Sequence, residues 1–151
     1  MTILAVIDTS CLVSNSHREH LVTAAQEGLY VPIWSPWIIA ELNRVMTWNW
    51  IKNKGVSEKE KFSRRYKEMM SILTGSFRCV DPKPPWIKAW PSLTDKDDLP
   101  IWSTAKYAEA QYIVSLNTND FPPPNKYGIH IWEGIEYIVV LEFFRRIQYE
   151  F

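Results

Sequence analysis

Hydrophobic and polar positions change period several times along this chain, and each change marks an element. Residues 3–7 are a continuous apolar run, too short for a helix, and predict a buried strand. Asp8-Thr9-Ser10 turns the chain into a helix predicted over about 11–27 and closed by Gly28. Residues 29–34 predict a second strand, made irregular by Pro32. Ser35-Pro36 sets a hydroxyl N-cap before a proline at the first helical position, and Ile38, Leu42 and Val45 then share one helix face. Ser57-Glu58-Lys59-Glu60 has capping-box spacing and opens a further helix, striped by Phe62, Tyr66, Met69 and Leu73 and ending at Gly75.

Residues 77–80 read as a weak third strand, and the prolines at 82, 84, 85 and 91 make the following stretch a loop. Thr94-Asp95-Lys96-Asp97 offers caps for a helix reaching about residue 110. Strands are predicted at 112–115 and 129–132, separated by a proline-rich loop at 121–125, and a closing helix at 134–147. Strands alternating with helices predict an α/β fold, a mainly parallel five-stranded sheet covered on both faces. If the chain visits the sheet in the order 3-2-1-4-5, the order reverses between the first and fourth strands. Ligands of open α/β sheets bind at such a switch point, beyond the carboxyl ends of the strands.

The 151 residues suit one domain, 1–151, able to bury roughly two-thirds of its unfolded surface without a disulfide or metal staple. An apolar fraction of 46% with 23% charged residues excludes wholesale disorder. Cys11 and Cys79 are isolated thiols without CxxC spacing, which fits a reducing compartment. The start of the chain has no basic segment before its apolar run, and nothing approaches a membrane span of roughly 18 residues. A cytoplasmic protein with no membrane partner is expected. The formal net charge is zero, but it is unevenly spread. Between Asn43 and Trp90 eleven basic residues face four acidic ones, an excess of seven that the rest of the chain cancels. Such a run reads either as a solvated helix face or as a surface for an anion.

Four acidic positions carry the candidate chemistry. Asp8 follows the first strand, and Asp120 follows the fourth. Glu41 lies at the edge of the Ile38/Leu42/Val45 face, and Asp98 points inward from the first turn of a helix that carries Ile101 and Trp102. Each has a plain structural alternative: a turn or capping residue for Asp8, Asp98 and Asp120, and a boundary salt bridge for Glu41. Asp97 is the better cap of its pair. Four carboxylates at one switch point would repel, by about 3 kcal/mol for a pair 5 Å apart at an effective dielectric of 20. A divalent cation with all-oxygen ligands, Mg²⁺ or Mn²⁺, relieves that repulsion and supports phosphodiester hydrolysis.

The segments Ala5-Val6-Ile7-Asp8-Thr9-Ser10, Trp34-Ser35-Pro36-Trp37-Ile38-Ile39-Ala40-Glu41-Leu42, Asp95-Lys96-Asp97-Asp98-Leu99-Pro100-Ile101 and Ile113-Val114-Ser115-Leu116-Asn117-Thr118-Asn119-Asp120-Phe121 resemble, in order and spacing, the four acidic motifs of PIN domains. The likeness is closest to the prokaryotic proteins that include VapC-type toxins. It implies a three-layer α/β/α fold with a five-stranded parallel sheet and a Mg²⁺/Mn²⁺-dependent endoribonuclease, the toxin of a toxin–antitoxin pair. RNA and an antitoxin protein are the implied partners, and a homodimer is left open. Asp8, Glu41, Asp98 and Asp120 become the metal ligands and catalytic residues, supported by Ser10, Asn117 and Asp97. Cys11 stands where many relatives carry asparagine or a small residue. Asn117 stands where some place the fourth acid. The basic, tryptophan-rich segment 43–92 matches relatives poorly. The alternative from another class is a catalytically silent PIN-fold module that binds RNA or protein.

Lys52, Lys54, Arg64 and Arg65, with Trp48 and Trp50, are the candidate RNA or partner contacts, since indoles beside cations can stack on bases. Trp86 and Trp90 share that reading, and core filling is the alternative for all of them. His17 and His20 have HxxH spacing without a third ligand, and a solvated helix face is preferred to zinc. His130 reads as a strand residue. Cys11 beside Asp8 reads as a small buried residue rather than an active-site thiol, for want of a histidine partner. No phosphate-binding or dinucleotide glycine motif occurs.

Overall fold

Two apolar runs far apart in sequence lie side by side in the computed structural model, which describes residues 1–55, 57–82, 99–119 and 121–151. Strand β1 (Leu4–Ile7) is followed by helices α1 (Thr9–Val13) and α2 (Asn15–Gln26), strand β2 (Val31–Trp34), helices α3 (Pro36–Lys54) and α4 (Lys59–Ser76) and strand β3 (Arg78–Cys79). Then come helix α5 (Leu99–Ala108), strands β4 (Tyr112–Ser115), β5 (His130–Trp132) and β6 (Ile135–Val139), and helix α6 (Val140–Arg146). The sheet order is β3-β2-β1-β4-β6-β5, all neighbours parallel except β5 against β6. The reversal falls between β1 and β4, with Ile7 registered on Val114.

Alternation along β4 shows how the layers form. Ile113 and Ser115 face the Ile101 side chain of α5, whereas Tyr112 meets Phe143 of α6 with ring centroids 5.5 Å apart. Helices therefore cover both faces, and the parallel strands read as apolar runs because each side chain is buried on one face or the other. The core joins Ala5, Val6, Ile7, Ile33, Val114, Trp102 and Phe143, all at most 2% exposed.

The α/β architecture follows the expectation, but its carboxyl end differs in strand count. Among the described residues there are six strands rather than five, and residues 134–147 are not one helix. Ile135–Val139 is the last parallel strand, the 130–132 segment is an antiparallel edge, and only Val140–Arg146 is helical. Ile135, Ile138 and Val139 match helical spacing while Ile135, Tyr137 and Val139 match strand spacing, and period cannot separate the two in so short a run. Their β-branched and aromatic side chains suit a strand, and Glu133 and Gly134, with φ of 48° and 80°, make the tight two-residue turn that pairs Trp132 with Ile135.

Two further helix boundaries differ. The helix predicted over 11–27 breaks at Ser14, whose extended backbone separates α1 from α2. Arg18 donates to the Leu12 carbonyl at 2.7 Å and so serves the end of α1. The capping box at 57–60 does not form. Glu58 takes the N-cap position with a left-handed backbone and no side-chain cap bond, and Ser57 Oγ donates to the Lys54 carbonyl instead. Among the described residues, no helix is long and apolar enough to cross a membrane.

Candidate active site

Asp8 occupies the N-cap position of α1 at the carboxyl end of β1, yet its side chain makes no cap hydrogen bond. Its Oδ2 accepts from Ser10 Oγ at 2.9 Å and from Ser115 Oγ at 3.0 Å. Ser115 ends β4, so the carboxylate is held across the switch point between β1 and β4. The backbone closes the same seam. Asp8 N–H donates to the Val114 carbonyl at 2.9 Å and Leu116 N–H to Ser10 Oγ at 3.4 Å. Two hydroxyl donors on one oxygen suit an ionised carboxylate aimed in a fixed direction.

A small cleft opens on this carboxylate, lined also by Ser115, Asn117, Ile101, Phe121 and Tyr137. Asn117 lies in a turn whose Asn119 N–H donates to Asn117 Oδ1 at 3.2 Å. The chain beyond β4 is anchored to the edge hairpin. Phe121 packs edge-on against His130 and Tyr137, and His130 Nδ1 bonds the Pro122 carbonyl at 2.6 Å. His130 is thus both a strand residue and a loop fastener. The apolar wall of Ile101, Phe121 and Tyr137 escaped sequence reasoning, because it assembles from α5, a loop and β6.

Glu41 is half-buried on α3, one residue before Leu42, which is fully buried. The edge-of-face placement expected from helix geometry is therefore seen. The N-terminus of α3 is set by Pro36 at its first turn, but the Ser35 hydroxyl does not cap it. Ser35 Oγ and Thr104 Oγ1 lie 2.8 Å apart, both buried, and Thr104 also bonds the Pro100 carbonyl at 2.7 Å. This pair fastens α5 to the end of β2. Asp97, Asp98 and Asp120 lie outside the described residues. Among the described residues, no three His, Cys, Asp or Glu side chains converge.

The cysteine and histidine alternatives resolve on burial. Cys11 is fully buried beneath Asp8, and burial first, then the Asp8 charge, pushes its thiol far above the ordinary range. A thiol that stays protonated is no nucleophile. Cys79 is exposed, its thiol raised by partial burial and then by Asp81. Iodoacetamide at pH 8 is expected to modify Cys79 alone, more slowly than a free cysteine, with Cys11 reacting only in denaturant. Equal labelling of both in the native protein would contradict the closed β1–α1 seam. His17 Nδ1 bonds Ser14 Oγ at 2.8 Å, and His20 Nδ1 bonds the Tyr149 hydroxyl at 2.9 Å. His20 is not a solvated residue as expected, because Phe144 and Phe151 pack on it from the chain's far end.

The candidate RNA contacts divide. Lys52, Lys54, Arg64 and Arg65 are exposed, as is Trp48 at 56%. Trp50 serves the fold first. Its ring stacks on Phe62 at 4.7 Å and 5°, and its Nε1 donates to the Ser57 carbonyl at 2.9 Å, which pins α3 to α4.

The PIN-domain family matches residues 5–119, from β1 to the turn after β4. The chain belongs to the PIN-domain family. No curated protein matches it. PIN domains are generally nucleases that act on RNA and generally use divalent metal ions. The donors of this PIN domain fit such an ion: the Asp8 carboxylate, held by two hydroxyls beside the Asn117 amide, is an all-oxygen set of the kind Mg²⁺ and Mn²⁺ prefer.

Proposed function

We propose that this PIN domain is a Mg²⁺/Mn²⁺-dependent endoribonuclease and the toxin of a toxin–antitoxin pair, working in the cytoplasm. The observation that carries the catalytic reading is the Asp8 carboxylate. It forgoes its helix cap and is instead oriented by Ser10 and Ser115 into a cleft at the switch point. In this reading Asp8, Glu41, Asp98 and Asp120 hold the ion, with Ser10, Asn117 and Asp97 in support. The ion supplies Lewis-acid activation of water and neutralises charge at the phosphodiester. Ser10 and Ser115 fix the direction of Asp8, and the wall of Ile101, Phe121 and Tyr137 keeps bulk water from its apolar side. The exposed cations of α3 and α4 draw in the polyanion that the acids alone would repel. The toxin role rests on the motif resemblance.

A ligand held only by the folded chain stabilises it by about 2.7 kcal/mol at one hundred times Kd. Saturating Mn²⁺ is therefore expected to raise the melting temperature on the order of 5–10 °C. Asp8→Asn should remove most of that gain. Thermal melting checks this, and an unchanged midpoint with Mn²⁺ and Mg²⁺ would remove the metal site. Expression in a bacterial host should arrest growth, relieved by the protein of a small adjacent reading frame. Growth unaffected by an active nuclease would remove the toxin role alone.

A further inference from the structure

α3 and α4 enclose a cleft of about 320 Å³ that reaches Val13, the last residue of α1. Asp8 holds the N-cap position at the other end of α1, and five residues at 1.5 Å each place the two ends about 7 Å apart along the helix. The short helix α1 thus links the cleft, through Val13, to the turn that holds Asp8. Its walls are charged. Lys54, Lys61 and Arg65 line it, with Glu58 the one acid among the described lining residues. Ion pairs among the described residues use Lys106, Arg145 and Arg146 and none of these cations.

Two amides complete it. Asn49 and Asn53 stand one turn apart on α3 and face the same cleft. Each offers donors and an acceptor, the combination that reads a base edge. The Trp50–Phe62 stack forms part of the wall and holds the helices apart at a fixed spacing. Adjacent residues separate here. Arg65 enters the cleft, whereas Arg64 lies on the outer side of α4 with Lys59 and Lys67.

We propose that this cleft is a nucleotide subsite for single-stranded RNA, holding a base on Asn49 and Asn53 and its flanking phosphates on Lys61 and Arg65. The proposal rests on the reading of Asp8 as the point of cleavage. A concave pocket with amides inside suits an unstacked base, whose edge a duplex would hide. An acidic protein segment would satisfy the cations but leave the amide pair and the link to Asp8 without a purpose.

Binding of a labelled single-stranded RNA is measured by anisotropy at several salt concentrations, in Asp8→Asn protein so that nothing is cut. Two double variants, each removing two charges from α4, are compared: Lys61→Ala/Arg65→Ala in the cleft and Lys59→Ala/Lys67→Ala on the outer side. The first is expected to weaken binding at least tenfold and to make the log–log salt slope shallower by about 1.4, at roughly 0.7 per lost phosphate contact. The second should weaken it less than threefold. Asn53→Ala should keep the slope and reduce differences in affinity among homopolymers. Equal losses from the two doubles show long-range attraction only and overturn the subsite. Unchanged RNA affinity with lost affinity for oligoglutamate assigns the cleft to a protein and also overturns it. If the unsubstituted chain cuts RNA while the doubles behave alike, the nuclease reading stands and the subsite falls. If it cuts nothing yet binds RNA through Lys61 and Arg65, the subsite stands and the nuclease reading falls.

Discussion

Asp8→Asn is expected to lower RNA cleavage on the order of a hundredfold or more, with a metal-free melting temperature within about 3 °C of the parent. The substitution keeps the volume of the side chain and one carbonyl oxygen. That oxygen has two lone pairs and can still accept from Ser10 and Ser115. The negative charge is lost, and with it the attraction for a divalent cation. Cleavage is measured as initial rates on a fluorescent RNA with Mn²⁺, and folding by thermal melting. Ser115→Ala removes one of the two hydroxyls that aim the carboxylate, a change expected to cost roughly 10–100-fold in rate or metal affinity. The metal requirement should be the observable that shifts, since an exposed or merely structural serine would leave it alone. An Asp8→Asn protein that cuts RNA at the parent rate places the site elsewhere.

Phe143→Ala is expected to destabilise the fold by about 3–5 kcal/mol, the range for emptying a large buried aromatic. Phe143 is fully buried and meets Tyr30 edge-on at 5.0 Å and Tyr112 at 5.5 Å. It therefore joins α6 both to β4 and to the segment leading into β2, and neither ring can fill the space without leaving its other contacts. For a chain of this length the midpoint should fall by roughly 6–20 °C. Leu141→Ala, two residues away but 52% exposed, should change stability by less than about 0.5 kcal/mol. Urea titration of both variants checks the pair. Similar losses at the two positions would mean that α6 does not present Phe143 to the sheet.

The α/β order, the strand at 112–115, the Ile38/Leu42 face with Glu41 at its edge, and Asp8 just past a strand were all legible in the sequence. These features depend on neighbours within a few residues: a run of apolar side chains, a 3.6-residue stripe, a proline at a helix start. Burial patterns of the observed elements carry the same signals, Ile38 at 1% and Leu42 at 0% exposed. The misread stretch at 134–147 shows the limit of that locality. Its spacing permits strand and helix alike, and pairing with Tyr112, Ile113, Val114 and Ser115 decides for a strand.

By itself, then, the sequence determined the order of alternating strands and helices up to the fourth strand, and that acids follow the first and fourth strands. Only the tertiary structure decided what those side chains do. Each hydroxyl has several acceptors within reach, and the choice depends on which strand becomes a neighbour. Ser115 finds Asp8 from 107 residues away, and Ser35 gives up its cap for Thr104, 69 residues on. Trp50 turns to Phe62, and the adjacent Arg64 and Arg65 part to different faces of α4. Local propensity costs or gains tenths of a kcal/mol per residue, whereas burying a large apolar side chain gains about 1.5–3. The sheet's register is therefore settled by what can be buried together, and the polar partners are whatever that burial brings within hydrogen-bond reach.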